Sequence, residues 1–295
     1  MENSFLKTID RSSASLHPGY FALVMATGIV SIASHFLGFD SVAWALFLIN
    51  ITAYIILWLL TLRRIFWHSL SLWSDLTDHS LGAGFFTIVA GTAVLGSQVE
   101  ILTGKTATAA LLWGLGLILW IILIYIFFTM VTIKEIKPDI SKGINGAWLV
   151  AVVATQGISI LAALVVSEFP DWLDPVLFFA LSMYLLGCML YILIISFIVY
   201  RFSSLKLEPE ELSPPYWINM GAVAITTLAG STLILNSARW GFLTSILPFL
   251  KGFTLFFWAT CTWWIPLLLI LGGWRHVIKK FPWSTIPCTG AWSSP

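Results

Sequence analysis

The sequence predicts an all-α integral membrane protein in which repeated helical hairpins surround a central pore. Apolar residues make up 59% of the 295 residues and charged residues only 10%, against roughly 25% charged in soluble domains. Eight apolar stretches, each near the ~17–25 residues of a spanning helix, alternate with polar connections. A pattern of glycine and hydroxyl residues recurs in every second stretch.

The predicted spans define one transmembrane channel or transporter domain, residues 19–280. A cytoplasmic segment, 1–18, precedes it, and an irregular tail, 281–295, follows it. The tail contains three prolines and is too short to span a bilayer as a helix. The predicted spans are 19–38, 42–62, 81–102, 107–132, 147–166, 175–200, 217–235 and 253–273.

Lys and Arg are distributed unevenly between the two ends of these spans. With the N-terminus placed inside, twelve Lys and Arg residues lie in the cytoplasm, and only Lys105, Arg239 and Lys251 lie outside. The positive-inside rule therefore predicts a multi-pass protein of the cell (inner) membrane with cytoplasmic N- and C-termini. The first 18 residues contain no apolar h-region, so we expect no cleavable signal peptide.

A repeat becomes visible when the spans are taken in pairs. Four mid-span glycines in the first, third, fifth and seventh spans are separated by 63, 66 and 73 residues (positions 28, 91, 157 and 230), and hydroxyl or amide side chains accompany each. The even-numbered spans lack such clusters, so we expect the odd-numbered helices to line the path. The predicted pore-lining residues are Thr27, Gly28, Ser31, Gly91, Thr92, Gln98, Thr155, Gly157, Ser159, Thr227, Gly230 and Ser231.

Close packing is the alternative interpretation of these glycines. Small residues at helical spacing let two membrane helices approach each other without forming any pore. For one helix taken alone, packing is the better explanation. The occurrence of the pattern in four alternate helices favours a shared polar axis.

The predicted spans are almost free of charge, since Glu100 is the one Asp, Glu, Lys or Arg inside them. A charge at the bilayer centre costs at least ~2.5–3.5 kcal/mol and usually marks a proton relay or an ion site. Its absence favours passive movement of anions over coupling through an intramembrane carboxylate. Arg63, Arg64 and Arg275 are candidates for a positive inner rim, with topology signalling as the alternative.

Histidine and cysteine indicate no metal site, and we expect no cofactor. Asp75, Asp78 and His79 cluster in one loop, but no second histidine at ligand spacing follows. No nucleophile and base lie at one depth, so we expect no enzyme, and the net charge of +1 gives no reason to expect nucleic acid. His35 lies near the path, where an interfacial hydrogen bond or a gating role is open to it.

Three stretches resemble one known family. PGYFALVMATGIVSIAS (18–34), FFTIVAGTAVLGSQ (85–98) and GFTLFFWATCTWWIPLLLILGGWRH (252–276) are similar to the tellurite-resistance/dicarboxylate transporter family, which is similar in fold to the plant slow anion channels. The resemblance implies five hairpins around a path lined by odd-numbered helices, usually in a homotrimer. It also implies small anions as substrates, including tellurite, sulfite, malate, chloride and nitrate.

The sequence departs from the ten-helix pattern of that family after residue 276. We find no counterpart of its last two helices or of the phenylalanine that plugs the path on its ninth helix. The expected function is transport of small anions across the lipid bilayer through the pore. A proton-coupled dicarboxylate carrier and a truncated, non-conducting membrane protein are the alternatives.

Overall fold

A computed structural model describes residue 10 and residues 13–139, 143–209, 212 and 214–282. The described chain is helical, and eight of its helices are long and apolar enough to cross a membrane, so the all-α membrane class and the eight spans are confirmed. Most of the predicted tail, 283–295, lies outside the described residues. The membrane helices are α1 (Ala22–Phe36), α2 (Asp40–Trp67), α3 (Phe86–Thr103), α4 (Thr106–Ile133), α5 (Val150–Val165), α6 (Leu173–Ser204), α7 (Ile218–Leu235) and α8 (Leu247–Gly273).

Successive membrane helices pack as four hairpins: α1 with α2, α3 with α4, α5 with α6, and α7 with α8. The odd-numbered helices also pack against one another in chain order, α1 on α3, α3 on α5 and α5 on α7. They form an inner row, and the even-numbered helices lie outside it. Burial agrees for the two central members of the row, because 83% and 94% of the apolar cores of the third and fifth spans are buried, against 28% in the second and fourth. The first and seventh spans, at the ends of the row, are 22% and 44% buried.

Each inner helix begins with a short 3₁₀ turn, and these turns mark the repeat. They are Pro18–Phe21, Gly82–Phe85, Gly146–Leu149 and Pro214–Trp217, which start 64, 64 and 68 residues apart (18, 82, 146 and 214). The mid-span glycines lie 10, 9, 11 and 16 residues after the starts of these turns (28, 91, 157 and 230). The starting turns therefore keep the register of the repeat better than the glycines do.

Polar side chains cap the approach to the first three turns. His17, Asp78 and Asn145 each accept a hydrogen bond from a backbone N–H two residues further along, at 2.8–3.0 Å. Such caps satisfy donors that have no partner at the start of a helix. The four starting turns contact one another in chain order and so lie on the same side of the row. The four inner helices therefore run parallel to one another.

A buried arginine closes three of the four hairpins. Arg64 near the end of α2, Arg201 near the end of α6 and Arg275 just beyond α8 are each at most 9% exposed. Each guanidinium donates through Nη1 to the carbonyl two positions before the turn that starts its own hairpin, which joins both ends of the hairpin by a charge-assisted hydrogen bond. The acceptors are Leu16 (2.6 Å), Ile144 (3.0 Å) and Leu212 (2.5 Å).

The second hairpin uses a tryptophan at this place. Trp148, in the turn that starts α5, donates through Nε1 to the carbonyl of His79 at 2.8 Å. The indole also packs edge-on against Phe127 near the end of α4, with ring centroids 5.1 Å apart. This contact ties the second hairpin to the third.

Replacing Arg64 tests how much the arginine link stabilises the fold. Arg64→Gln removes the bonds to the Leu16 carbonyl and to Asp75 (2.5 Å) and leaves the carbonyl buried without its donor. We expect thermal unfolding in detergent to show a loss of about 2–4 kcal/mol, because a buried charged partner is removed. Arg63→Gln is the matched control on a more exposed neighbour and should cost no more than about 1 kcal/mol. Equal losses in both variants would contradict a specific link.

Candidate transport path

The polar side chains of α3, the second inner helix, bind to an outer helix. Asn50 on α2 donates through Nδ2 to Oε1 of Gln98 on α3 at 2.8 Å, and both residues are fully buried. Thr92 Oγ1, also on α3, shares a hydrogen bond of 3.0 Å with the Tyr54 hydroxyl of α2. These two predicted lining residues therefore face α2.

Three more predicted lining residues also bond to an outer helix. Each uses its hydroxyl in a hydrogen bond to an even-numbered helix and is buried. A hydroxyl engaged in this way has a satisfied partner inside the protein, as a membrane interior requires. The bonds join Ser31 Oγ to the Ala43 carbonyl (2.7 Å), Trp120 Nε1 to Thr155 Oγ1 (2.8 Å) and Ser159 Oγ to the Ala180 carbonyl (2.7 Å).

The other three predicted hydroxyls lie at half-buried positions. Thr227 and Ser231 donate to carbonyls of their own helix at 3.0 and 2.9 Å. The Thr27 hydroxyl forms no hydrogen bond with any residue that the structure describes. Their assignment to the lining of a path stays a prediction.

All four mid-span glycines lie where another helix approaches closely. A side chain at any of them would meet atoms of a neighbouring helix, so the close-packing alternative accounts for their position. A β-carbon at the distances given next would force the neighbouring atom to move. A β-carbon on Gly28 would lie 2.5 Å from Val94 Cγ1, on Gly91 3.3 Å from the Phe21 carbonyl oxygen, on Gly157 3.0 Å from Ala93 Cβ, and on Gly230 it would overlap Thr254 Oγ1.

One side of α3 makes none of the contacts to α1, α2, α4 and α5 that are named here. Gly91 faces α1, Gln98 faces α2, and Gly96 faces both α4 and α5. The helical phase of about 100° per residue places Ala90 and Ser97 on the remaining side, between α1 and α5. These two positions are seven residues apart and so lie one above the other.

The corresponding side of α5 is apolar. Contacts to α3, α4 and α6 occupy the other sides through Gly157, Ile158 and Ser159. The side between those that face α6 and α3 carries Val153 and Ile160, again seven residues apart. α5 also packs against α7. Both are only 6% exposed, so any path along this face is constricted at their depth.

Asn50 on α2 is a polar partner of the inner row that the sequence analysis missed. Its Oδ1 and the Nε2 of Gln98 are buried and have no hydrogen-bond partner within the described part of the chain. A signal was present, because Asn50 is the one side-chain amide in the four even-numbered spans as predicted. Only odd-numbered spans were predicted to line the path, so Asn50 was not among the predicted residues.

The predicted rim arginines have other partners. Arg64 and Arg275 are buried on the carbonyls described above, and Arg275 lies over the Phe281 ring at 4.4 Å. Arg63 donates to Asp10 Oδ1 at 2.9 Å. Hydrogen bonds from Arg63 and then from His68 hold the pKa of that carboxyl below its usual range. These contacts give each arginine a structural role at the end of its helix.

Three more candidate residues take part in local contacts. His35 Nδ1 lies 2.7 Å from Asp40 Oδ1 across the turn between α1 and α2, as the interfacial alternative anticipates. Asp75 binds Arg64, and Asp78 caps the approach to α3. Among the described ranges, no group of three or more His, Cys, Asp or Glu side chains is arranged to hold a metal ion.

The comparison with known families decides the assignment. The sequence model of the voltage-dependent anion channel family matches residues 15–292. The chain belongs to this family. It is the family that the three quoted stretches resemble, and its members are channels and transporters.

Curated relatives agree with membrane transport in general. Two uncharacterized transporters of Methanocaldococcus jannaschii are 26% and 23% identical over 273 and 284 residues, which cover 89% and 94% of this chain and 75% and 78% of the relatives. An uncharacterized membrane protein of Mycobacterium tuberculosis is 39% identical over 94 residues, 32% of this chain. That match spans 47% of the relative's length.

Substitution of Gly28 should damage folding before it affects a path. Gly28→Leu places side-chain atoms against Val94 and Asn50, so we expect a lower thermal midpoint and less monodisperse protein in detergent. Gly114→Leu is the control, because nothing lies within 4 Å of a β-carbon at that position on α4. Normal stability of Gly28→Leu would show that the three-helix contact is loose.

Proposed function

We propose that this chain passes small anions passively across the cell membrane along the inner face of the row α1, α3, α5 and α7. The observation that carries the proposal is the composition of this row in a member of an anion channel family. The four helices contain a single Asp, Glu, Lys or Arg between them, Glu100 near the end of α3. A path without fixed charge suits passive flow better than ion-coupled transport.

The helix directions supply an attraction for anions. The four inner helices run parallel, so the positive ends of their dipoles gather at the side where the starting turns lie. Each dipole contributes about 0.3–1 kcal/mol toward a nearby negative charge. The excess of Lys and Arg on the same side of the chain places both termini in the cytoplasm under this proposal.

The proposed lining is mostly apolar, and it includes Ala90, Ser97, Val153 and Ile160. Ser97 is 8% exposed, and its Oγ donates to the Ala93 carbonyl at 3.0 Å. The hydroxyl hydrogen must therefore leave that carbonyl before it can bind an anion. Such a lining holds a passing anion weakly, and narrow apolar segments control flow by excluding water.

Tellurite, sulfite, halides and C4-dicarboxylates such as malate are the proposed substrates, and a homotrimer is the proposed assembly. These follow from the resemblance to the tellurite-resistance/dicarboxylate transporters. One observation favours a proton-coupled carrier as the second candidate. Glu100 accepts a hydrogen bond from Thr106 through Oε1 at 3.1 Å, while its buried Oε2 has no partner within the described chain. An intramembrane carboxyl of this kind is the group that a proton-coupled carrier needs.

Flux from purified protein in liposomes tests the proposal. Anion release should exceed that of empty liposomes and depend on membrane potential. The release rates across a panel of chloride, nitrate, sulfite, malate and tellurite are then compared to rank these anions as substrates. Flux that requires a proton gradient and is lost in Glu100→Gln would favour the carrier. Folded protein that passes no anion of the panel would refute both transport candidates.

Substitutions at Ile160 test the assigned face. Ile160→Ser makes the constriction smaller in side-chain volume and more polar, so we expect anion flux to rise several-fold, whereas Ile160→Phe should reduce it by a similar factor. Ile118→Ser and Ile118→Phe are matched controls on α4, where Ile118 is 59% exposed, and they should leave flux unchanged. Unaltered flux in both Ile160 variants with normal thermal midpoints would remove Ile160 from the path.

A further inference from the structure

A groove lies along the outward side of α2, away from the inner row. Its volume is about 610 Å³, and apolar side chains form most of its wall. Leu59, Leu62 and Phe66 are 63%, 41% and 73% exposed there. The groove ends at Arg63 and Trp67, in the last turn of the helix.

Arg63 gives the end of this groove a guanidinium. Its Cζ lies 5.4 Å from the ring centroid of Trp67, and its Nη2 donates to Asp10. Nε is buried and has no hydrogen-bond partner within the described residues, so a ligand must bind at the guanidinium tip. The two terminal nitrogens of an arginine carry four N–H donors, and the bond to Asp10 leaves some of these for a second anion.

One carboxylate oxygen of Asp10 contacts two side chains. The same Oδ1 that binds Arg63 lies 3.3 Å from His68 Nε2. The carboxylate is also 46% exposed, so it is a surface partner that water screens. It holds Arg63 in place without enclosing the guanidinium.

The repeat shows that a cation at this position is particular to the first hairpin. The residue before each hairpin-closing arginine is Arg63 in the first hairpin, Tyr200 in the third and Trp274 in the fourth. Tyrosine and tryptophan there are ordinary anchors at the headgroup level of a bilayer. Arg63 stands at the same level, and it adds a positive charge.

The dimensions fit a phospholipid. From Trp67 to Ile56 the groove follows α2 for eleven residues, which is about 16 Å at 1.5 Å per residue. That length runs from the headgroup level toward the middle of a hydrocarbon layer about 30 Å thick. An acyl chain lying along it would bring its headgroup phosphate to Arg63.

We propose that the outward groove of α2 is a binding site for an anionic phospholipid, with the headgroup phosphate on Arg63 and an acyl chain along Leu59, Leu62 and Phe66. Guanidinium groups suit phosphate oxygens because two N–H groups can bind together. The site faces away from the inner row and does not depend on the proposed transport. The lipid phosphate binds Arg63 either together with Asp10 or in place of Asp10.

Retention of phosphatidylglycerol by the purified full chain tests this site. Protein is extracted from vesicles of phosphatidylcholine and phosphatidylglycerol, and native mass spectrometry counts the phosphatidylglycerol that remains bound. Arg63→Gln should lower retention about fivefold, the factor for one basic residue at an anionic surface. Leu59→Trp, which fills the groove, should lower it while keeping the charge. Asp10→Asn should raise it by freeing the guanidinium.

Lys134→Gln is the matched control, because Lys134 is an exposed cation just beyond the end of α4. It should keep the retention of the unchanged protein. Retention that survives both Arg63→Gln and Leu59→Trp in folded protein would overturn the proposal. An equal loss in Lys134→Gln would also overturn it, because the effect would then be that of surface charge alone.

Discussion

The structure depends on one requirement of the bilayer interior, where a polar side chain on a helix must find its partner inside the protein. Gln98, Thr155 and Ser159 meet it by bonding to outer helices. The outer helices therefore do more than shield the inner row from lipid, since they hold the orientation of each inner helix. The inner face is left with small and apolar side chains.

This division explains how an inner row with a single charged side chain can still bury hydroxyl groups that have hydrogen-bond partners. α3 and α5 have polar contacts to outer helices on one side and a mostly apolar surface on another. The starting turns keep all four inner helices parallel, so under the proposed function their backbone dipoles supply the electrostatic preference for anions. Charged side chains enter only at the helix ends, where Arg64 and Arg275 bind backbone carbonyls.

The spans could be predicted because hydropathy and length alone determine them, yet their ends could not. α2 continues to Trp67 and α8 begins at Leu247, beyond the apolar limits at 62 and 253. Terminal turns tolerate Arg63 or Lys251 because such side chains reach the interface. The row of odd-numbered helices was also predicted. The direction of each polar residue was not, because a serine at helical spacing fits a pore or a neighbouring helix equally well.

The arginine links bear on how the protein is made. Each joins residues of a single hairpin, 48, 57 and 63 positions apart in sequence. No later helix is needed to complete the bond, and the cost of closing such a loop grows only slowly with its length. A nascent chain can thus fasten its first hairpin while the ribosome is still translating the next. The second hairpin is the exception, because its link comes from Trp148 and must wait until the third has been made.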